Sequence, residues 1–206
     1  MAPSSYVVQF RGLLACPCLA EWLPVYEAEL QRRGVLEGPL RIYQLIGNAS
    51  ASADTHSEGG AFDITDYLGG EDVWVARQMG ADATWRRAAG FTTVHLHGVL
   101  RGCPHNGPAR YQIDAVDDGF NGLGSGGRGG RDDGPRPLSG RTWREGIEWA
   151  RAQEEDMGYR QWDQADKDAF KKDAAAAVLG TKIKLKDGTE KSVEQVLKEI
   201  YNFRKS

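Results

Sequence analysis

Lysine is missing from the first 166 residues of this 206-residue chain, and glycine nearly disappears after residue 158. Every lysine falls between Lys167 and Lys205, and Gly180 and Gly188 are the only glycines beyond Gly158. A composition shift that sharp reads as a domain boundary. Residues 159–206 carry 11 Lys+Arg against 8 Asp+Glu, net +3, and the preceding part carries 15 against 21, net −6. Cysteine is scarce: Cys16, Cys18 and Cys103 are an odd set and build no disulfide framework. One residue between Cys16 and Cys18 is tighter than the usual zinc pair, so all three are expected as buried small apolar residues. A formal charge of −3 lacks the basic excess of a nucleic-acid binder, and no nucleic-acid partner is expected. No apolar run is long enough to cross a bilayer. The opening MAPSSYVVQF lacks the basic start and apolar stretch of a secretory signal. Work outside the producing cell would therefore need another route of delivery. Residues 126–130 have the glycine content of a phosphate loop but not its Gly-Lys-Ser/Thr ending, which excludes that reading.

What is present suggests an α+β domain with a small, mostly antiparallel sheet and flanking helices over residues 1–153. Strands are expected at 6–10, 40–46, 61–64 and 92–100, and helices at 19–33, ended by Gly34, and at 73–89, where Val73, Ala76, Met79 and Ala83 recur. Trp74 and Trp85 fall on that second helix as core residues. Residues 121–140, NGLGSGGRGGRDDGPRPLSG, read as a long surface loop. A helix over 142–153 follows, with Trp143, Ile147 and Ala150 on one face.

Residues 160–206 form a small helix–hairpin–helix tail. Asp163 caps a helix over 164–179, Asp187-Gly188 turns a hairpin between 182–185 and 189–191, and Ser192 with Gln195 makes a capping box for a last helix. A unit this small buries little surface alone, so it is expected to dock on the first domain, self-associate or bind a partner.

Histidine is also rare, and three of the four lie in two short segments, Thr55-His56-Ser57-Glu58-Gly59-Gly60-Ala61-Phe62-Asp63 and Val94-His95-Leu96-His97-Gly98. Period-two geometry sends His95 and His97 to one face of a strand. Gly59-Gly60 permits the bend that returns Asp63 toward His56. Two neutral imidazoles and a carboxylate are a common zinc set that leaves a position open for water, and zinc lowers the pKa of that water and polarises a carbonyl. His95, beside the metal, is then placed to act as a general base or to stabilise the transition state. The same donor types also form the facial triad of non-haem iron oxygenases, and Glu58, two residues after His56, keeps that reading open.

The first segment matches His-x-x-Gly-x-Ala-x-Asp through His56, Gly59, Ala61 and Asp63, and the second matches His-x-His. Together they resemble the LAS group of zinc peptidases, which includes D-Ala-D-Ala carboxypeptidases, L-alanyl-D-glutamate endopeptidases and the hedgehog signalling domain. The resemblance covers roughly residues 41–99. It implies Zn2+ held by His56, Asp63 and His97, with His95 beside the catalytic water. It also implies a substrate role for polar residues ahead of the first motif, here Arg41 and Gln44. Two departures stand out. Asp54 replaces the serine often found two residues before the first histidine, and Val94 replaces the glutamate base that several members carry before the last ligand. Catalysis then falls to His95, with Glu58 or Asp66 as the remaining acids. His105, in the turn-like Gly102-Cys103-Pro104-His105-Asn106, is a candidate for the cleft wall or a fourth ligand, against the plainer reading of a loop histidine bonded to backbone.

The whole chain also resembles proteins of actinobacterial phages that join a His97-to-His105-type segment to a short lysine-rich tail. The expected function is a zinc-dependent peptidase cutting a peptidoglycan stem peptide or crossbridge, as an endolysin or tail-associated lysin. It would act on the bacterial cell wall, from a virion tail tip or after release by host lysis. The alternative is a non-catalytic, zinc-stabilised module of a phage tail. In either case residues 160–206 are expected to meet other tail subunits or another copy of the chain.

Overall fold

A computed structural model describes residues 6–47, 54–65, 70–86, 95–122, 128–132, 134–161, 182–184, 190–192 and 195. The chain divides into two compact units, Met1–Gln153 and Glu154–Ser206. The class is α+β.

The first unit begins with a hairpin of β1 (Val8–Phe10) and β2 (Leu13–Ala15). Arg11 and Gly12 both have positive φ, the geometry of a tight turn whose twist suits antiparallel strands. Helix α1 (Pro17–Arg32) follows at once, with Pro17 in the first turn, where its missing N–H costs nothing. Its buried stripe is Cys18, Leu19, Trp22, Leu23, Tyr26 and Leu30, the three-to-four spacing of one helix face. Gly34 ends it at φ +70°, and the Val35 N–H closes back on the Leu30 carbonyl.

Four strands make the central sheet: β3 (Ile42–Gln44), β4 (Ala61–Thr65), β5 (Ala81–Arg86) and β6 (His95–Leu100). The order is β3-β4-β6-β5 and all neighbours are antiparallel. Alternation along β4 and β6 makes the two faces chemically different. Phe62 and Ile64, with Leu96 opposite Ile64, turn to the face covered by α1, where Trp22 stacks on Tyr26 and both rings meet Phe62. Gly98 stands opposite Phe62, and a Cβ there would lie 2.3 Å from the ring, so only glycine lets the ring cross that strand. The other face carries Ala61, Asp63 and Thr65 against Val99, His97 and His95. Helix α3 (Arg110–Asp117) covers one end of it, where Ile113 joins Ala61, Val99 and Ala109 in a small second core.

The helix expected over 73–89 is half right. Helix α2 (Glu71–Gln78) stops at Met79-Gly80, and residues 81–86 become β5, paired with β6 throughout. Gly80 has φ +77°, and a Cβ there would collide with the Thr142 carbonyl at 2.3 Å. The alanines of the segment are compatible with either state locally, and pairing with β6 decides for strand. Trp74 is half-buried with its edge to Trp149, and the Trp85 side chain lies outside the description.

Helix α4 (Trp143–Gln161) opens with a reciprocal cap: Glu145 Oε2 accepts from the Thr142 N–H at 2.7 Å, and the Glu145 N–H reaches Thr142 Oγ1 at 3.4 Å. Trp143, Ile147 and Ala150 are buried along its expected face.

The described part of 121–140 has no strand or helix beyond one bridge between Phe120 and Arg131, but it is fastened rather than loose. Arg77, buried on α2, grips both carboxylate oxygens of the equally buried Asp132, at 2.7 and 3.2 Å. Arg77 also donates to the Pro135 carbonyl, while Ser139 Oγ donates to the Arg77 carbonyl.

In the second unit, β7 (Lys182–Lys184) and β8 (Glu190–Ser192) pair as an antiparallel hairpin. The Ser192–Gln195 capping box is formed, with bonds of 2.8 and 3.2 Å in the two directions. The expected helix over 164–179 and the body of the last helix lie outside the described residues.

Removing one partner of a fully buried ion pair strands the other charge, so Asp132→Ala should destabilise the fold by about 3–5 kcal/mol. Arg128→Ala, which breaks the exposed pair with Asp118, should cost no more than about 1 kcal/mol. Urea unfolding of the two variants checks this, and equal midpoints would refute the anchoring role of Asp132.

Candidate metal centre

The β4–β6 register sets Asp63 directly opposite His97 at the middle of the sheet. His56 arrives from the turn before β4, which is tied down at several points. The Ser57 N–H and Oγ both bond the Asp54 carbonyl, and the Gly47 N–H donates to the His56 carbonyl at 2.8 Å. Asp54 and Gly60 take positive φ at the two ends of this turn. The result brings the donor atoms of His56, Asp63 and His97 within 4.8 Å of one another, in a set that could hold a metal ion.

The imidazole nitrogens are already sorted. His56 Nδ1 lies 2.8 Å from the Leu45 carbonyl, which can only accept, so Nδ1 carries the proton and Nε2 is left for the site. His97 Nε2 lies 2.9 Å from Gln112 Oε1, which commits it as donor and turns Nδ1 toward Asp63. Such outer bonds orient metal-binding histidines. Bonds of about 2.0–2.1 Å around a tetrahedral ion place neighbouring nitrogen or oxygen ligands roughly 3.3–3.4 Å apart. His56 Nε2 is 3.4 Å from His97 Nδ1 and 3.3 Å from Asp63 Oδ2. The third edge, His97 Nδ1 to Asp63 Oδ1, is 2.7 Å, a direct hydrogen-bond distance. The residues fit a metal of the zinc type in donor chemistry and, on two edges of three, in spacing.

Burial pushes the Asp63 carboxyl upward, but the adjacent His97 and His56 outweigh it and hold the group well below the usual carboxylate range. A carboxylate held ionised at this position suits cation binding. The Asp63 side chain is 15% exposed against 1% for His56, so access from solvent is on the Asp63 side.

The other anticipated residues distribute unevenly. His95 lies on the same face with Nε2 3.8 Å from Asp63 Oδ1, next to the donor set and outside it. Gln44 pairs across β3–β4 with Asp63, and its buried Nε2 has no hydrogen-bond partner among the described residues. Thr65, opposite His95, has a buried Oγ1 in the same condition. Arg41 is exposed just before β3, its carbonyl accepting from the Thr65 N–H. Glu58 is exposed and does not join the donor set; its carboxylate packs against Gly107 instead. Asp66 lies outside the described residues.

His105 does not join this donor set as a fourth ligand. It lies with Cys16, Cys18 and Cys103, which are buried as expected but are gathered into a second set able to hold a metal. Its spacing signals are Cys16-x-Cys18, set aside above as too tight, and Cys103-x-His105, which was not weighed as a pair. Gln112 was also missed. It is a polar residue on the buried face of α3, and nothing in its local spacing announces a role.

Replacing Gln112 with leucine removes the acceptor that fixes His97, so Gln112→Leu should weaken metal binding about 10–100-fold. Competition against a chromophoric chelator measures this, and an unchanged affinity would mean His97 is oriented by other contacts. In comparisons with known proteins, no family model, no curated protein and no solved structure matches this chain.

Proposed function

We propose that this chain is a zinc-dependent peptidase acting on a peptide of the bacterial cell wall, with Zn2+ held by His56 Nε2, Asp63 and His97 Nδ1. The observation that carries the reading is the convergence of those donors, with their other nitrogens already bonded, on the solvent-accessible side of Asp63. Zinc in such a set supplies Lewis-acid polarisation of a carbonyl and activation of water.

The chain's own residues take the remaining roles. His95 is the only other described imidazole on this face, and at 3.8 Å from Asp63 it is within reach of a water-sized group beside the ligands. It takes the proton from the attacking water and returns it to the leaving amine, the general acid–base role of an imidazole. The unsatisfied Gln44 Nε2 and Thr65 Oγ1 offer a donor and a hydroxyl to an incoming peptide backbone or carboxylate. Burying such groups without partners is costly, and a polar ligand relieves that cost. Arg41, exposed at the head of β3, is suited to a substrate carboxylate through its forked guanidinium. The wall as substrate rests on the resemblance of the two histidine motifs, and an endolysin or tail-associated origin in an actinobacterial phage rests on the resemblance of the His97-to-His105 segment joined to a lysine-rich tail.

One observation favours a second reading, a zinc-stabilised binding module without turnover: among the described residues the donor set has no second carboxylate, and Glu58 points to Gly107. The two readings part in one experiment. Purified protein incubated with actinobacterial walls should release free amines, and a chelator should stop the release. His95→Ala should lower the rate about 10²–10⁴-fold with metal content unchanged. Absence of chelator-sensitive release from every wall type would sink the peptidase reading and leave the binding module.

A further inference from the structure

We propose that Cys16, Cys18, Cys103 and His105 bind a second Zn2+ as a closed structural site, separate from the His56–Asp63–His97 set. The four donor atoms all lie within 4.8 Å of one another, and the three cysteines are buried. Their spacing is that of a tetrahedron around zinc. Bonds of about 2.3 Å to sulfur and 2.0–2.1 Å to nitrogen give edges of roughly 3.8 Å between sulfurs and 3.6 Å between sulfur and nitrogen. Cys16 Sγ and Cys103 Sγ are 3.8 Å apart, Cys18 Sγ and His105 Nδ1 3.6 Å, and Cys103 Sγ and His105 Nδ1 3.7 Å. A disulfide needs about 2.05 Å between sulfurs and would leave one thiol and the imidazole of this cluster without a role.

The surroundings suit thiolates. Cys16 is the residue before the first turn of the 16-residue α1, where the helix amides favour negative charge. The Gly60 N–H donates to Cys16 Sγ at 3.3 Å. The Tyr6 ring stacks on the His105 imidazole at 4.2 Å and holds its plane. The short Cys-x-Cys spacing works because Pro17 changes the backbone from extended at Cys16 (φ −81°, ψ 156°) to helical, so both sulfurs can turn to one side. Four protein donors leave no open position, the mark of a structural rather than catalytic zinc.

Such an ion ties the start of α1 to the turn after β6, segments 87 residues apart in sequence. It also reaches the first centre. Gly59 is wedged against this cluster, where a Cβ would lie 2.9 Å from Cys16 Cβ and 3.0 Å from His105 Cβ, and Gly59 belongs to the turn that carries His56. The second site thus braces the turn that supplies a ligand to the first.

The full chain, stripped and reloaded with Co2+, tests this without assuming peptidase activity. A thiolate-to-cobalt charge-transfer band in the near ultraviolet is expected, and it should persist in the double variant His56→Ala with Asp63→Ala. Zinc content should fall by one equivalent in that variant and by one in Cys103→Ser. Thiol titration with an aromatic disulfide should show the cysteines of the unmutated zinc-loaded protein protected and those of the stripped protein reactive. Absence of the charge-transfer band would overturn the proposal, as would thiols that react equally with and without zinc, or a Cys16–Cys103 disulfide in protein prepared with reductant. Failure of the unmutated protein to cleave walls, with its band intact, would instead count against the peptidase reading alone.

Discussion

The antiparallel pairing of β4 with β6 is the constraint on which the first unit depends. One register does two things at once. On one face it aligns Phe62 with Gly98 and Ile64 with Leu96, giving α1 an apolar surface to cover. On the other it sets Asp63 opposite His97 and Thr65 opposite His95. A slip of one residue would move the apolar set to the wrong face, so the hydrophobic effect that seats Trp22 and Tyr26 on Phe62 also holds the polar set in place. The precision of the donor cluster is therefore borrowed from the core behind it.

Buried polar groups are tolerated here because almost every one is committed. Both ring nitrogens of His56 and His97 have a defined neighbour, and the Asp63 carboxylate is flanked by both rings. Gln44 and Thr65 break that rule on the same face, and a local failure of polar satisfaction beside a donor cluster is where a ligand is expected. The loop that passes α2 follows the same logic on the structural side. Its glycine and proline content disfavours regular structure, and its position is set by the buried Arg77–Asp132 pair together with a few backbone bonds such as Asp132 N–H to the Gly119 carbonyl.

Two donor sets of different chemistry lie on either side of one turn. The nitrogen–oxygen set keeps a solvent-accessible edge, and the sulfur-rich set is enclosed by four protein donors. That division matches open and closed coordination in metalloproteins, and Gly59 is the shared wall. A change at the enclosed set would be felt at the open one through the position of His56.

Much of this was local information, and the sequence alone determined it. Period-two alternation placed His95 and His97 on one strand face, three-to-four spacing chose the buried stripe of α1 and the Trp143–Ile147–Ala150 face of α4, and Ser192 with Gln195 specified a cap. These features need only a few neighbouring residues to be read. Tertiary structure decided the rest. Residues 81–86 carry a helix-compatible pattern, and they became a strand because Gly80 ends α2 and β6 offers a partner. Glu58 follows His56 by two residues yet turns to Gly107, since the bend at Gly59-Gly60 sets its direction. The Cys16, Cys18, Cys103 and His105 cluster shows in the sequence only as two short, separate spacings. Its halves are 87 residues apart, and only the packing of the α1 start against the turn after β6 brings them into one donor cluster.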